Sequence, residues 1–370
     1  NIMVRVAVVG LGKMGLSHHA MINAHPRAKV VAVCDSAGYM LDVLKKYTGI
    51  CTYNDFYAML REIELDAVII ATPSSMHAEM VDAALDKNLH VFCEKPFCLD
   101  MKEGEKLTGK ANDKGLVNQV GYHCRFVGAF QEVKHLLDAG AIGEVTHLLG
   151  EAYGPVVLKP KGSTWRTQRS KGGGCLYDYA AHPLNLVNWY LGAPQGVGGT
   201  ILNKIYSKDT DDEVFGTLYY EGGKSAQISV NWSDESFRKM TTKITIWGKL
   251  GRIYADRQEC QVYLRDDAHI PAGYQKGWNV RYTTDLTEPV WFYLRGEEYS
   301  AQLDYFIRCI EENHANDNVN SFEAAMATDH VIAMMIADAA NGPSLHAGDA
   351  LPKASTRKKG FFFGGHKTAS

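Results

Sequence analysis

No run of about eighteen apolar residues occurs in the chain, so the sequence offers no membrane-spanning helix. A surplus of charge of one sign is missing too. Lysines and arginines number 39 against 42 aspartates and glutamates, a formal net charge of −3. Nucleic-acid binding usually rests on a large basic excess, so that class is set aside. Paired cysteines are absent. Cys34, Cys51, Cys93, Cys98, Cys124, Cys175, Cys260 and Cys309 form no C-x-x-C and lie often inside apolar runs. They read as buried free thiols of a reducing cytoplasm, and neither a disulfide nor a metal site is expected. The opening, Asn1-Ile2-Met3-Val4-Arg5, passes directly into a strand-like run. It lacks the charged, apolar and cleavage regions of a signal peptide, and a cytoplasmic location is the expectation.

What is present suffices for a large core. Apolar residues make up 46% of the 370, enough to offset the entropy cost of folding. Single cores stop growing at roughly 250–300 residues, so two domains are expected, 1–123 and 124–345, followed by a tail over 346–370.

The first third alternates short apolar runs with helical patterns. Val4–Val9, Lys29–Cys34, Ala67–Ala71, His90–Cys93 and Leu116–Gly121 read as strands, and Lys13–Ala24, His77–Lys87 and Met101–Lys114 as helices. Continuous apolar strands separated by helices imply an α/β unit with a doubly wound parallel sheet, a Rossmann domain. The first strand runs into Gly10-Leu11-Gly12-Lys13-Met14-Gly15, a G-x-G-x-x-G between strand and helix. In that setting the glycines give a tight turn, a close approach for a pyrophosphate, and close packing of helix on strand. The helix start then offers free N–H groups to the phosphates. Asp35 follows 20 residues after Gly15, at the end of the second strand, where a carboxylate accepts from ribose hydroxyls and repels a 2′-phosphate. Ser36 and Ala37 come next, with no arginine, so NAD is expected over NADP.

Further motifs occur in one order: Ala71-Thr72-Pro73 with His77, Glu94-Lys95-Pro96, Gly121-Tyr122-His123-Cys124-Arg125-Phe126, and Gly172-Gly173-Gly174 leading to Asp178 and His182. Together with the glycine loop they span about half the chain. In this order they resemble the Gfo/Idh/MocA oxidoreductase family (glucose–fructose oxidoreductase, inositol dehydrogenase and relatives). The resemblance implies a second, α+β domain built on a large, mostly antiparallel open sheet, with the active site between the domains. It implies that Lys95, Asp178 and His182 surround the reacting carbon, and that Thr72, Pro73, His77 and Glu94 line the cofactor cleft. It also implies that Arg125 reaches the substrate. One departure is Asn185, where many members carry an aspartate three residues after the motif histidine.

The residues support a buried site independently. Cys175–Leu191 reads as a helix apolar nearly all round, hence buried. On it Asp178, His182 and Asn185 fall at i, i+4 and i+7 and share one face. A buried polar stripe needs partners; a structural histidine–aspartate pair would also satisfy it. Pro183 should kink this helix or mark its start. For oxidation of a secondary alcohol, His182 has the intrinsic pKa of a base and Lys95 would stabilise alkoxide character, although these two roles could be exchanged.

Phe126–Ala139 reads as a linking helix. Glu144–Tyr153, Val197–Tyr206, Glu213–Tyr220, Lys224–Trp232, Thr242–Trp247 and Cys260–Leu264 read as strands separated by hairpin-like turns. A sheet with helices on one face leaves the other for a second copy, and a homodimer, homotetramer or larger assembly is expected. Residues 155–171 hold Lys159, Lys161, Arg166, Arg169 and Lys171 without an acid. With Tyr153 and Trp165 to stack on a sugar ring and Arg166 to grip an anion, this is the candidate substrate loop. A solvated loop or subunit contact would give the same composition. Tyr299–Glu312 and Phe322–Ala340 read as helices, and Phe361-Phe362-Phe363 in the tail suggests docking on a neighbouring subunit or near a cleft.

These features lead to an NAD-dependent dehydrogenase of a sugar, glycoside or cyclitol hydroxyl. The alternatives are an NAD-assisted glycosidase, acting by transient oxidation at C3 and elimination, and a dinucleotide sensor without chemistry.

Overall fold

A computed structural model describes residues 2–159 and 164–349. Lys161 of the basic segment and the Phe361–Phe363 cluster lie outside these residues.

The first half is built from β1 (Val4–Val9), α1 (Lys13–Asn23), β2 (Ala28–Cys34), α2 (Gly38–Thr48), β3 (Cys51–Tyr53), α3 (Phe56–Glu62), β4 (Ala67–Ile70), α4 (His77–Asp86), β5 (His90–Cys93), α5 (Met101–Asp113) and β6 (Asn118–Val120). The strands form one sheet in the order β3-β2-β1-β4-β5-β6, and every pair is parallel. Strand order reverses between β1 and β4. A crevice opens at the carboxyl ends of strands at such a switch point, which is where ligands bind in this architecture. The apolar runs are as continuous as they are because helices cover both faces: all four residues of β4 are buried.

The second half follows with α6 (Gly128–Asp138), β7 (Val145–Tyr153), α7 (Ala181–Leu191), β8 (Gly196–Asn203), β9 (Glu213–Tyr219), β10 (Ser225–Asn231), β11 (Thr241–Gly248), β12 (Gly251–Ala255), β13 (Glu259–Leu264), β14 (Gly277–Tyr282), α8 (Thr283–Leu286), α9 (Glu297–Glu311) and α10 (Phe322–Asn341). Its eight strands run β14-β13-β12-β11-β7-β10-β9-β8 and pair antiparallel, except β7 with β10. Alternation sets the faces. On β10, Ala226, Ile228 and Val230 are buried while Ser225, Gln227, Ser229 and Asn231 point the other way. Helices α6, α7 and α10 pack against this sheet. On edge strand β14, Trp278, Val280 and Tyr282 are exposed, with Tyr263 exposed on the neighbouring β13.

Helix α9 returns to the first sheet. Its Tyr299, Leu303, Phe306 and Ile307 share a core with Val4, Val6 and Val8 of β1, and the rings of Phe92 and Phe306 meet edge-on at 5.8 Å. Just before it, Trp291 Nε1 donates to the Met21 carbonyl at 2.9 Å. A second core runs without a break from β4 and β5 into α7, α10 and the large sheet.

Three strands escaped the sequence reading: β3, β12 and β14. Each is short, and β14 alternates without an apolar run. Strand β8 stops at Asn203 rather than Tyr206, because Asp212 draws the backbone N–H groups of Ile205, Tyr206 and Ser207 into a turn. The cysteines are all free; seven are buried, but Cys51 is exposed on β3, an edge strand. Among the described residues no helix is long and apolar enough to cross a membrane.

Candidate active site

The glycine loop joins β1 to α1 at the switch point. Gly10 has φ +88°, and a Cβ there would meet the Ala71 carbonyl oxygen at 2.6 Å. A Cβ on Gly15 would strike the Gly10 carbonyl, so α1 can lie this close to β1 only with glycine. Gly12 is the N-cap of α1. It supplies no capping side chain, the first turn carries no acid, and a Cβ on it would meet nothing within 4 Å. The helix therefore begins with uncapped N–H groups beneath open space, a fit for a pyrophosphate. Leu11 is buried, Lys13 exposed and Met14 half-buried at the rim of the cleft described below. Asp35 accepts from the Leu11 N–H at 2.5 Å and the Ala37 N–H at 2.7 Å. Its carboxylate is thereby fixed beside the loop, with Ser36 exposed next to it. The donors, the space and the carboxylate all suit NAD.

Past β4, Thr72 is half-buried and Pro73 exposed. His77, buried at the start of α4, reaches the Thr72 carbonyl with Nε2 (2.9 Å) and the Pro96 carbonyl with Nδ1 (2.8 Å). Burial holds its imidazole below the ordinary histidine pKa. His77 thus clamps the two loops together from behind rather than facing the cleft. Glu94 does face it, with Oε1 2.6 Å from Nε2 of the buried His18.

The cleft itself has a volume of about 390 Å³. Lys95 enters it from the loop after β5. Its Nζ donates to the Asp178 carbonyl at 2.8 Å and to the Asp178 carboxylate at 3.0 Å. Arg166 Nε donates to the other carboxylate oxygen at 3.0 Å. Burial pushes the Asp178 carboxyl up, but Lys95 and Arg166 outweigh it and hold the group below the usual carboxylate range. His182 lines the same cleft. Burial, then the charges of Lys95 and Arg257, keep its pKa well below the ordinary value, so the imidazole is neutral at pH 7. Its Nδ1 is 3.8 Å from Cys124 Sγ, a thiol that burial pushes up to about 11.

Local sequence explains the presentation of Asp178. Pro183 has no N–H to give the carbonyl one turn back. Residues Leu176–Ala180 form a widened π turn, and regular helix begins at Ala181. Asp211 anchors the start of that turn through the Leu176 N–H (2.6 Å). The glycine run folds beneath Arg166, whose carbonyl accepts from the Gly174 N–H at 2.9 Å.

Three expected substrate residues are not brought to the cleft. Arg125 is buried, and its guanidinium is spent on the carbonyls of Val319 (2.6 Å) and Asn185 (2.8 Å). Tyr153 points to the opposite face of the large sheet, where its hydroxyl meets Glu151 and Ser229. Trp165 stacks on Arg166 and does not line the cavity. Asn185 is also turned away; its Nδ2 donates to Thr328 Oγ1 at 3.1 Å. Conversely, the cleft includes His123, Trp232, Arg257, Arg295 and Tyr299. His123 lies in a motif noted above, but the other four arrive from distant elements with no sequence signature.

Two family models match the chain. One, described as "Oxidoreductase family, NAD-binding Rossmann fold", covers residues 4–122. The second, the GFO/IDH/MocA C-terminal domain, covers residues 130–254. The chain is 28% identical to scyllo-inositol 2-dehydrogenase (NAD(+)) of Bacillus subtilis (strain 168), over 83% of its length and 86% of the relative's. It is also 28% identical to dTDP-3,4-didehydro-2,6-dideoxy-alpha-D-glucose 3-reductase of Actinomadura kijaniata, over 69% of its length and 75% of the relative's. In fold it is similar to a solved levoglucosan dehydrogenase in complex with NADH and levoglucosan. That match has a TM-score of 0.80 at 22% identity and covers 91% of this chain and 97% of the other.

Proposed function

The chain belongs to the Gfo/Idh/MocA family of NAD-binding oxidoreductases, and from that premise we propose that it transfers a hydride between NAD and a secondary hydroxyl or ketone of a sugar, glycoside or cyclitol. The observation that carries the reading is the meeting of Lys95 and Asp178 in one ion pair, with neutral His182 in the same cleft. The sugar and inositol substrates named for the relatives support the substrate class.

NAD, with its pyrophosphate at the glycine loop, would supply through its nicotinamide the acceptor or donor of the hydride. The protein's own groups handle the oxygen and its proton. Lys95, ion-paired with the Asp178 carboxylate, faces the oxygen on which negative charge develops. His182 starts unprotonated, as a base must. With Nδ1 turned to Cys124 Sγ, Nε2 is the nitrogen that takes the proton of the substrate hydroxyl in the tautomer protonated at Nδ1. In the reverse direction the same nitrogen returns it. Asp178 fixes Lys95 and, through its second oxygen, Arg166. The buried Trp232, and Tyr299 stacked on His123 at 4.3 Å, back the wall of the cavity.

The test is a panel of sugars, cyclitols, glycosides and nucleotide sugars, each followed by the absorbance of NADH. At least one member reduces NAD with the wild-type chain and not with His182→Ala. A panel without any turnover overturns the reading.

The outer face of the large sheet, with Trp278, Val280, Tyr282, Tyr263 and Tyr219 exposed, is the surface on which a second copy of the chain would pack.

A further inference from the structure

The cleft is cationic although the chain is not. Lys95, Lys159, Arg166, Lys239, Arg257 and Arg295 line it against two carboxylates, Glu94 and Asp178, in a protein of net charge −3. Most of these charges are accounted for. Lys95 and Arg166 share Asp178. Arg257 pairs with Glu298, whose side chain is nearly buried. Glu94 is held by His18.

Arg295 is different. It is half-buried, just before the Gly296 cap of α9, with its guanidinium carbon 5.4 Å from the ring centre of Tyr299. Among the described residues no carboxylate lies within ion-pair distance of it, and none of the remaining residues is an aspartate or glutamate. Arg257 approaches the same ring at 6.0 Å. Two guanidinium groups therefore flank Tyr299, and only one has its counter-ion. Lys159 and Lys239, both exposed, also lack a carboxylate partner among the described residues. The positive field is felt inside the site: after burial and the neighbouring His182 imidazole, the charges of Arg257, Lys95 and Arg295 help to hold the His123 pKa down. A half-buried, unpaired guanidinium at a cavity wall is a ready partner for a planar anion, which it can grip through two parallel N–H bonds. The cofactor's pyrophosphate has its own donors at the uncapped start of α1.

We infer that Arg295, beside Tyr299 and supported by Lys239 and Lys159, is an anion subsite, and that the substrate carries a carboxylate or phosphate. That the anion belongs to a substrate rests on the proposed oxidoreductase activity; the subsite rests on the cleft alone.

The test is equilibrium binding by calorimetry to the full chain saturated with NADH. The probes are matched sets: D-glucose, D-glucuronate and glucose 6-phosphate, and the corresponding D-galactose set. At least one acid binds about tenfold or more tighter than its neutral partner, and the better arm tells carboxylate from phosphate. In Arg295→Gln that ratio falls to within about threefold. In Arg295→Lys, which keeps the charge but not the fork, it falls to an intermediate value, and this variant decides the matter if the glutamine one does not fold. No acid preferred in either set overturns the inference, and so does a preference that survives Arg295→Gln. If that variant weakens NADH binding and leaves the preference intact, Arg295 serves the cofactor and the subsite is refuted. Acids held through Arg295 without NAD reduction in the broad panel would instead overturn the oxidoreductase reading and leave the subsite standing.

Discussion

Lys95 Nζ bonds both the main-chain carbonyl and the carboxylate of Asp178, at 2.8 and 3.0 Å, tying the loop after β5 to the π turn that precedes α7. The pair is nearly buried, each side chain being 11% exposed. Breaking such a pair strands one charge out of water, so the contact both aligns the cleft and couples the two halves of the chain around it.

Removing the base should cost rate and spare binding. His182→Ala lowers turnover by about 10²-fold or more, the scale of acid–base catalysis. NADH affinity, followed by fluorescence, stays near the wild-type value, because the glycine loop and Asp35 are far from the substitution in sequence and lie in the other half of the fold. Near-normal turnover would take His182 out of the mechanism.

Cofactor choice should follow Asp35. The carboxylate binds the Leu11 and Ala37 N–H groups, so Asp35→Ala loosens the loop as well as freeing the ribose site. NAD affinity falls by about tenfold. Adding Ser36→Arg raises the ratio of kcat/KM for NADP over NAD by about tenfold or more relative to the parent. An unchanged ratio would refute the role given to Asp35.

Acid should destabilise the fold through its buried histidines. Burial lowers the pKa values of His77, His123 and His182. The unfolded chain binds protons near pH 6.5, the folded one only at lower pH. The stabilisation is therefore complete above about pH 6.5 and is lost as pH falls through the folded values. The melting temperature of His77→Gln relative to the wild type should be constant above about pH 6.5 and should rise as pH falls from there to 5, since the variant has lost one of the histidines whose protonation opposes folding. A difference that does not change with pH would contradict this.

The opposite sign applies to Asp329. It is buried on α10, and neither carboxylate oxygen has a hydrogen-bond partner. Burial pushes its pKa up to about 8, and the Cys98 backbone N–H opposes that shift without closing a hydrogen bond. The folded state keeps a proton that the unfolded state releases near pH 4. Stability drawn from this group therefore declines as pH rises from about 4 to about 8. Asp329→Asn should raise Tm by several degrees at pH 8 and by little at pH 5.

Self-association should depend on the outer sheet face. Static light scattering should give a mass above the 40.9 kDa of one chain, and Trp278→Glu on β14 should reduce it. A mass of one chain for the wild type would show that this face is solvated.

The first half of the fold was legible because its signals are local. Glycines, strand ends and helix starts follow one another within a few residues, and buried parallel strands read as unbroken apolar runs. Lys95, Asp178 and His182 were likewise legible from their motifs, and all three line the cleft. Arg257, Arg295, Trp232 and Tyr299 were not, since sheet topology and the return of α9 bring them there. Arg125, Tyr153 and Trp165 failed for the converse reason. A charged or aromatic residue near a motif says nothing of which way its side chain points, and Arg125 is consumed by backbone carbonyls.

The return of α9 to β1 limits how this protein can be dissected. A fragment cut after residue 123 would keep its nucleotide loop yet lose the lid over Val4, Val6 and Val8, exposing a greasy strip that invites clumping. Separate expression of the two halves is thus a poor route to a minimal dinucleotide binder. A shortened version would have to splice 297–311 back on, through a new linker, before it could stay in solution.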